Sequence, residues 1–255
     1  MPYPTPYPDV NDVLDRLLAD VKSVLADRFA GMYLYGSLSS GDFDPRRSDV
    51  DFVVTTTGDL SQDEITALDA MHTRIMSSGL KWAKKLEGSY IPQDALRRYD
   101  PDGPPYPTLN EGRFYMAPHG SDWIIQRHII REHGVTLAGP PPQTVVDPVQ
   151  PDDLRRAVRG VLAEWWAPML DNPDWLRSDE YQAFAVLTMC RALHALEHGD
   201  IASKPVAARW FQRMHGDHWA DLVERALAWP DSAPWDRLDQ TLAFMRYALS
   251  QALPK

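Results

Sequence analysis

A proline-rich stretch near the middle of the chain separates two halves whose apolar residues recur at different intervals. Before it, short runs rich in β-branched and aromatic residues, such as 31–35 and 49–55, alternate with helical patterns. After Pro151, apolar side chains recur only every three or four residues, as on one face of a helix. This change of period predicts an α/β domain, a small mixed sheet with helices, over residues 1–150, and an all-helical bundle over 151–255.

The N-terminal half is predicted to contain helices over 11–29, 61–78 and 122–133, and strands over 31–35, 49–55, 86–91 and 135–139. Ser61 and Glu64 form a capping box at the start of the second helix. Residues 92–121 are polar and rich in proline and glycine, which predicts a long loop, and 140–151 is predicted to be a linker. Five helices are expected in the second half, over about 154–166, 179–198, 205–214, 219–228 and 238–253.

Composition narrows the classes of partner. The net charge is −10 over 255 residues, which argues against non-specific nucleic-acid binding and favours a cationic small molecule. One cysteine, Cys190, excludes an internal disulfide. The first eight residues lack the basic and apolar regions of a signal peptide, and no apolar run is long enough to cross a bilayer. We expect a cytoplasmic monomer with no membrane or nucleic-acid partner.

One group of residues near the start of the chain indicates a chemical function. Gly36-Ser37 follows the first predicted strand, and after a spacer of eleven residues Asp49 and Asp51 lead into the second. The strand period of two places both aspartates on one face, where a hard divalent cation stabilises the pair best. A Gly-Ser turn offers backbone N–H groups and a hydroxyl to phosphate oxygens. The combination predicts phosphoryl or nucleotidyl transfer, although an isolated Asp-x-Asp is more often a solvated turn pair.

The ordered motif resembles that of the DNA-polymerase-β-like nucleotidyltransferases. That superfamily places a third carboxylate on a neighbouring strand, and Glu87, in Lys85-Leu86-Glu87-Gly88, is the matching candidate. We expect Glu87 to accept the proton of an attacking hydroxyl. Ser48, next to the aspartates, is expected to contact phosphate with Gly36 and Ser37.

The C-terminal half resembles the helical domain of the aminoglycoside (3'')(9) adenylyltransferases, which give resistance to streptomycin and spectinomycin. The matching segments are 185–193, with Leu187-Thr188-Met189-Cys190-Arg191, then 197–210 and 131–140. The resemblance implies that Arg191 and Lys204 contact ATP phosphates and that the site lies between the domains. It also implies that Mg²⁺ is held by Asp49 and Asp51.

Two departures from the family concern the acceptor. The family has a tryptophan in the loop that shapes the aminoglycoside pocket, whereas 110–115 here contains none. The family's acidic residues at the start of the Leu-Thr-x-x-Arg helix hold the drug's cationic groups. Tyr181 falls near one such position, and Asp179 or Glu180 is expected to take that part.

The sequence therefore predicts an ATP- and Mg²⁺-dependent adenylyltransferase that modifies a hydroxyl of a cationic, aminoglycoside-type antibiotic. One alternative is a nucleotidyltransferase that acts on another small molecule or on a protein side chain. A second is a catalytically silent nucleotide-binding module, but such a module has no chemical need of Asp49, Asp51 and Glu87 together.

Overall fold

A computed structural model describes residues 4–215, 217–231 and 237–253 of the chain. Its contacts divide the chain into two units, Met1–Pro148 and Val149–Lys255. The boundary predicted from the sequence, between 150 and 151, lies two residues later. The predicted domains also include residues 1–3, 216, 232–236 and 254–255, which lie outside the described residues.

The first unit is an α/β structure built on six strands. Its helices are α1 (Pro8–Leu25), α2 (Ser37–Ser40), α3 (Gln62–Met76), α4 (Gln93–Arg97), α5 (Asp122–His133) and α6 (Pro142–Val145). Its strands are β1 (Phe29–Leu34), β2 (Val50–Thr56), β3 (Leu86–Pro92), β4 (Tyr106–Asn110), β5 (Arg113–Ala117) and β6 (Val135–Ala138). The predicted mixed sheet with helices is confirmed.

The sheet has the order β5-β4-β3-β2-β1-β6. Strands β2 and β3 pair in parallel, and the other neighbours pair antiparallel. A parallel pair needs a crossover connection, which α3 supplies between β2 and β3. Because both strands start at the same edge, the residues at their N-terminal ends lie next to each other.

The core of this unit lies between the sheet and the helices α1 and α3. Helix α1 buries an apolar stripe, and β2 contributes Phe52 and Val54 to the same cluster. The stripe consists of Val10, Val13, Leu14, Leu17, Val21 and Leu25. Helix α1 starts at Pro8, where proline's missing N–H costs nothing, and ends at Leu25, earlier than predicted, because Phe29 already belongs to β1. Burial of this stripe fixes the sheet that carries the site.

The prediction of a long loop over 92–121 is wrong. This segment holds α4 and an antiparallel hairpin of β4 and β5. The hairpin turns at Glu111 and Gly112, both in the left-handed region at φ 49° and 71°, as the two-residue turn favoured by twisted strands requires. Pro107 and the polar side chains obscure the alternating pattern that indicates a strand. The β4 strand is stabilised by its pairing with β3 through Leu109 and Thr108.

The stretch predicted as a linker, 140–151, is ordered in part by packing on the first unit. It contains α6, and Val145 and Val146 are fully buried. Arg131 of α5 donates to the carbonyl of Gln143 at 2.7 Å. Prolines in this stretch therefore mark turns of a packed segment before the second unit begins.

The described part of the second unit is helical, as predicted. Its helices are α7 (Pro151–Val161), α8 (Asp179–His198), α9 (Lys204–His215), α10 (Ala220–Ala228) and α11 (Leu238–Ala252), with a π-helical turn over Leu162–Trp166. Helix α8 is the central element, since ten of its residues are buried and it packs on α7, α9, α10 and α11. Gly199 ends it at φ 68°. Among the described residues, no helix is both long and apolar enough to span a membrane.

Candidate active site

Two of the three predicted carboxylates lie side by side on the parallel strands. Asp51 of β2 pairs in register with Glu87 of β3, and residues in direct register on neighbouring strands project to the same face. Asp49 precedes β2, which begins at Val50, one residue later than predicted. The site is thus at the edge where β2 and β3 start.

The turn after β1 brings Gly36 against Asp51. The backbone N–H of Tyr35 donates to the carbonyl of Asp51 at 3.2 Å. Gly36 adopts φ +67°, and a Cβ atom there would lie 2.1 Å from Oδ2 of Asp51. Both the left-handed backbone and the lack of space require glycine at this position. The Gly-Ser turn predicted from the sequence therefore lies against the Asp51 carboxylate.

Ser37 opens α2, a single helical turn beside this carboxylate. The first N–H groups of such a turn have no acceptor within it, which is the feature that binds phosphate oxygens elsewhere. Ser48 lies farther along the loop, where its Oγ accepts from the backbone N–H of Asp44 at 3.0 Å. Ser48 thus closes the loop between α2 and β2.

The loop between α2 and β2 carries its own ion pairs. Arg46 and Arg47 contact the Asp44 carboxylate at 2.8 and 3.2 Å. Hydrogen bonding from Arg46 lowers the pKa of Asp44 to about 2. This cluster holds the chain that leads into Asp49.

Glu87 has the proton affinity of a group that exchanges protons near neutral pH. Burial, and next the negative charge of Asp49, raise its pKa to about 7. The backbone N–H of Glu111, at the tip of the β4–β5 hairpin, donates to Oε1 of Glu87 at 3.4 Å and opposes the rise. Lys85 contacts Oδ1 of Asp49 at 3.0 Å. The β4–β5 hairpin, which the sequence did not predict, therefore forms the edge of the site next to Glu87.

Two further residues of this region were not identified from sequence. Tyr35 is buried, and burial together with the charges of Asp51, Glu87 and Asp122 raises the pKa of its phenol well above the usual range. Asp122 is the first residue of α5, and burial raises the pKa of its carboxyl. In the sequence, Tyr35 belongs to an apolar strand and Asp122 to a helix start, so neither pattern indicates a site.

The donor chemistry fits a divalent cation shared with a substrate. All three acidic side chains offer the oxygen ligands that Mg²⁺ prefers, and Mg²⁺ is commonly bound by one or two carboxylates plus phosphate oxygens. Burial contributes most to the raised pKa of Glu87, and the negative charge of Asp49 adds to it, so a cation beside these carboxylates would reduce their repulsion. No preformed cluster of three His, Cys, Asp or Glu ligands is found over the described ranges. A Mg²⁺ site made of two carboxylates and the phosphate oxygens of a substrate agrees with both findings.

In the second unit, Arg191 lies within α8 and its side chain reaches the connection to α9, whose first residue is Lys204. Nε of Arg191 donates to the carbonyl of Ala202 at 3.1 Å, two residues before Lys204 begins α9. The Lys204 ammonium lies 4.4 Å from the ring centroid of Phe184. The structure thus brings the two predicted phosphate contacts to one connection.

Asp179 and Glu180 occupy the first turn of α8, where acidic side chains stabilise a helix N-terminus. They precede Arg191 by twelve and eleven positions, roughly 17–18 Å along the helix axis at 1.5 Å per residue. The Ser178 hydroxyl caps this end by accepting from the N–H of Tyr181 at 3.2 Å. Tyr181 starts an aromatic cluster, with ring centroids 5.4 Å from Trp175 and 5.7 Å from Phe184.

Two family models match the chain. A nucleotidyltransferase domain matches residues 14–97, and the C-terminal domain of aminoglycoside adenylyltransferase matches residues 144–251. The first match contains the Gly-Ser and Asp-x-Asp motifs and Glu87, and the second contains Arg191 and Lys204. The two matches follow the order of the two units.

Curated relatives match over both units. The aminoglycoside (3'') (9) adenylyltransferase of Shigella flexneri is 28% identical, with 94% of this chain and 93% of the relative covered. The spectinomycin 9-adenylyltransferase of Staphylococcus aureus is 24% identical over 74% of this chain and 73% of the relative. A solved spectinomycin adenyltransferase from Enterococcus faecialis, with ATP and spectinomycin, shares the fold at a TM-score of 0.76 and 17% identity, over 94% of this chain and 98% of that one.

Proposed function

The chain belongs to the aminoglycoside adenylyltransferase family of nucleotidyltransferases, and from this premise we propose that it transfers AMP from ATP to a hydroxyl of an aminoglycoside-type antibiotic. The observation that carries the proposal is the pairing of Asp51 with Glu87 beside the Gly36 turn. A metal-binding carboxylate, a proton acceptor and a phosphate-binding turn are the parts that this transfer requires.

Glu87 accepts the proton of the acceptor hydroxyl. Its pKa of about 7 is close to neutral pH, and a general base is most effective when its pKa lies near the working pH. As the acceptor oxygen bonds to the α-phosphorus of ATP, the bond to the β-phosphate oxygen breaks and pyrophosphate leaves. The hydroxyl proton goes to the Glu87 carboxylate, and the AMP group stays on the acceptor.

Asp49 and Asp51 are the residues that would hold Mg²⁺. When bound, Mg²⁺ neutralises the triphosphate and lowers the energy of the departing pyrophosphate. Lys85 contacts Asp49 at 3.0 Å and offsets part of the negative charge of that carboxylate. Gly36, Ser37, Ser48, Arg191 and Lys204 position phosphate oxygens.

The acceptor is a cation, and the acidic chain favours its approach. Asp179 and Glu180 offset the charge of its amino groups. Modification of the drug at a hydroxyl would give antibiotic resistance. The use of ATP as co-substrate and the single, buried Cys190, which has no cysteine partner in the chain, support a cytoplasmic location, and we expect a monomer.

Pyrophosphate release across a panel of acceptors tests the proposal. Purified protein with ATP and Mg²⁺ should release pyrophosphate with streptomycin or spectinomycin and not without an acceptor. Mass spectrometry of the product should show one added AMP group. Glu87→Gln is the matched negative, since it keeps the size of the side chain and removes the proton acceptor.

A different acceptor is the second candidate, and two observations favour it. The hairpin turn at Glu111-Gly112 carries no tryptophan, and Tyr181 stands near a position where the family has an acidic residue. Release of pyrophosphate with another metabolite or a protein, and none with aminoglycosides, would support this candidate. Absence of turnover with every acceptor, despite ATP binding, would instead support a silent nucleotide-binding module.

A further inference from the structure

Lys85 stands opposite one of the two proposed metal ligands, where the parallel strands begin. Val50 and Leu86 are register partners at the start of β2 and β3, and Asp49 and Lys85 precede them by one residue each. Nζ of Lys85 lies 3.0 Å from Oδ1 of Asp49. Since the register of the two strands fixes both backbones, the sheet itself brings this ammonium to the carboxylate.

The Lys85 ammonium also acts on the other carboxylates of the site. Burial, and next the charge of Asp49, raise the pKa of Glu87, whereas the positive charge of Lys85 opposes the rise. Asp51, the register partner of Glu87, belongs to the same group of carboxylates. The chain therefore places a positive charge of its own beside the proposed metal site.

The contact between Lys85 and Asp49 is of a kind that a ligand can replace. The two side chains are 50% and 36% exposed, so water solvates both and the pair is weaker than a buried one. A bound Mg²⁺ lies about 2.0–2.1 Å from its oxygen ligands and carries twice the charge of an ammonium. A divalent cation on Asp49 and an ammonium in contact with the same carboxylate repel each other. The two cations therefore compete for this carboxylate.

We propose that Lys85 is an internal counter-ion of Asp49, which weakens the binding of a bare divalent cation to the protein without nucleotide. The divalent cation then binds mainly together with ATP, whose phosphate oxygens add ligands and whose negative charge attracts both the cation and the lysine. Lys85 thus acts on the cation through Asp49 and through charge repulsion. This inference rests on the proposed role of Asp49 in holding Mg²⁺.

Titration of Mn²⁺ into the protein without nucleotide tests the proposal. Mn²⁺ takes the same carboxylate oxygens as Mg²⁺, and the free ion is measured directly by electron paramagnetic resonance. Lys85→Met removes the charge and keeps an unbranched side chain of similar length. It should tighten Mn²⁺ binding about two- to fivefold, which corresponds to the value of an exposed ion pair.

Lys84→Met is the matched control. Lys84 is the preceding residue, is exposed, and its loss changes the net charge by the same amount. The Lys84→Met protein should bind Mn²⁺ as the wild type does, because salt screens the charge of an exposed group that does not contact the carboxylate. In the Asp49→Asn background, Lys85→Met should bring little further gain, since the shared carboxylate is gone.

Thermal midpoints of all variants establish that each is folded. If Asp49→Asn weakens Mn²⁺ binding while Lys85→Met tightens it no more than Lys84→Met does, the counter-ion role is wrong and the metal role of Asp49 stands. If Asp49→Asn binds Mn²⁺ as the wild type does, the metal role of Asp49 fails, and the counter-ion role fails with it. Undetectable binding by the wild type and by Lys85→Met alike would also overturn the proposal.

Discussion

Asp51 and Glu87 are register partners on the only parallel strand pair of the described sheet, so their carboxylates share one face beside Gly36. Thirty-five residues separate them in sequence, and α3 supplies the crossover that brings them together. This pairing places a proposed metal ligand next to a proposed base.

Glu87→Gln should lower kcat by about 10²–10⁴-fold, the usual contribution of general base catalysis, and should leave ATP affinity near that of the wild type. The amide keeps the size of the side chain but cannot accept the proton. Steady-state kinetics with a productive acceptor, together with ATP titration, measure the two effects separately. Near-normal turnover would mean that another group takes the proton.

ATP should stabilise the folded protein far more with Mg²⁺ than with EDTA. A ligand that binds only the folded state raises its stability by mass action, and Mg²⁺ should tighten the ATP complex through Asp49 and Asp51. Thermal unfolding with ATP under both conditions measures the difference. Asp51→Asn should abolish most of it, and equal shifts in the wild type under both conditions would exclude the metal site.

Gly36→Ala should be more damaging than Gly41→Ala. Both positions have a positive φ, +67° and +77°, so each substitution adds local strain. At Gly41, in the αL region, this strain is about 1–2 kcal/mol, and at Gly36, whose ψ of −143° lies outside that region, it is at least as large. Only at Gly36 does the new Cβ meet Asp51, 2.1 Å from Oδ2, whereas nothing lies within 4 Å of the position at Gly41. Gly36→Ala should therefore also lose the Mg²⁺-dependent gain in ATP binding, which calorimetry measures. Equal effects of the two variants on ATP binding would show that the close approach of Gly36 to Asp51 is not needed for function.

Protein stability should fall between pH 6.5 and 4 in a way that depends on His72. Burial lowers the pKa of His72, whose Nε2 lies 2.7 Å from the Tyr90 hydroxyl, to about 3. Below pH 6.5 the unfolded chain therefore binds a proton that the folded chain does not, and the free energy of unfolding decreases. Above that pH the contribution of His72 is constant.

Denaturant unfolding at pH 7.5 and pH 5 tests this expectation. His72→Gln should reduce the difference between the two pH values, and the exposed His133→Gln is the matched control. His119, whose pKa is also lowered to about 3 by burial, contributes in the same sense, so part of the difference should persist. A difference unchanged by His72→Gln would show that another group titrates on unfolding.

Sequence alone determined the strongly periodic elements and the chemistry of the motif. Apolar spacing places α1, α3 and α8 within a few residues of their observed bounds, and the Ser61–Glu64 capping box forms as expected. These features are local, because helix period and capping depend on residues only three or four apart. Gly36-Ser37, Asp49 and Asp51 are also close in sequence, so their pattern is visible without a fold.

Only the tertiary structure decided which distant residues meet. The sequence did not predict the β4–β5 hairpin, because Pro107 and the polar residues of this segment do not favour a strand by themselves. They form one because β4 pairs with β3 and β5. The same pairing brings the N–H of Glu111 to Glu87. The packing of α5 brings Asp122 near Tyr35, where its negative charge contributes to the raised pKa of the phenol. Proton affinities such as that of Glu87 depend on burial and on neighbours from other strands. Since burial and neighbouring charge arise only when the sheet assembles, no spacing of residues along the chain encodes them directly.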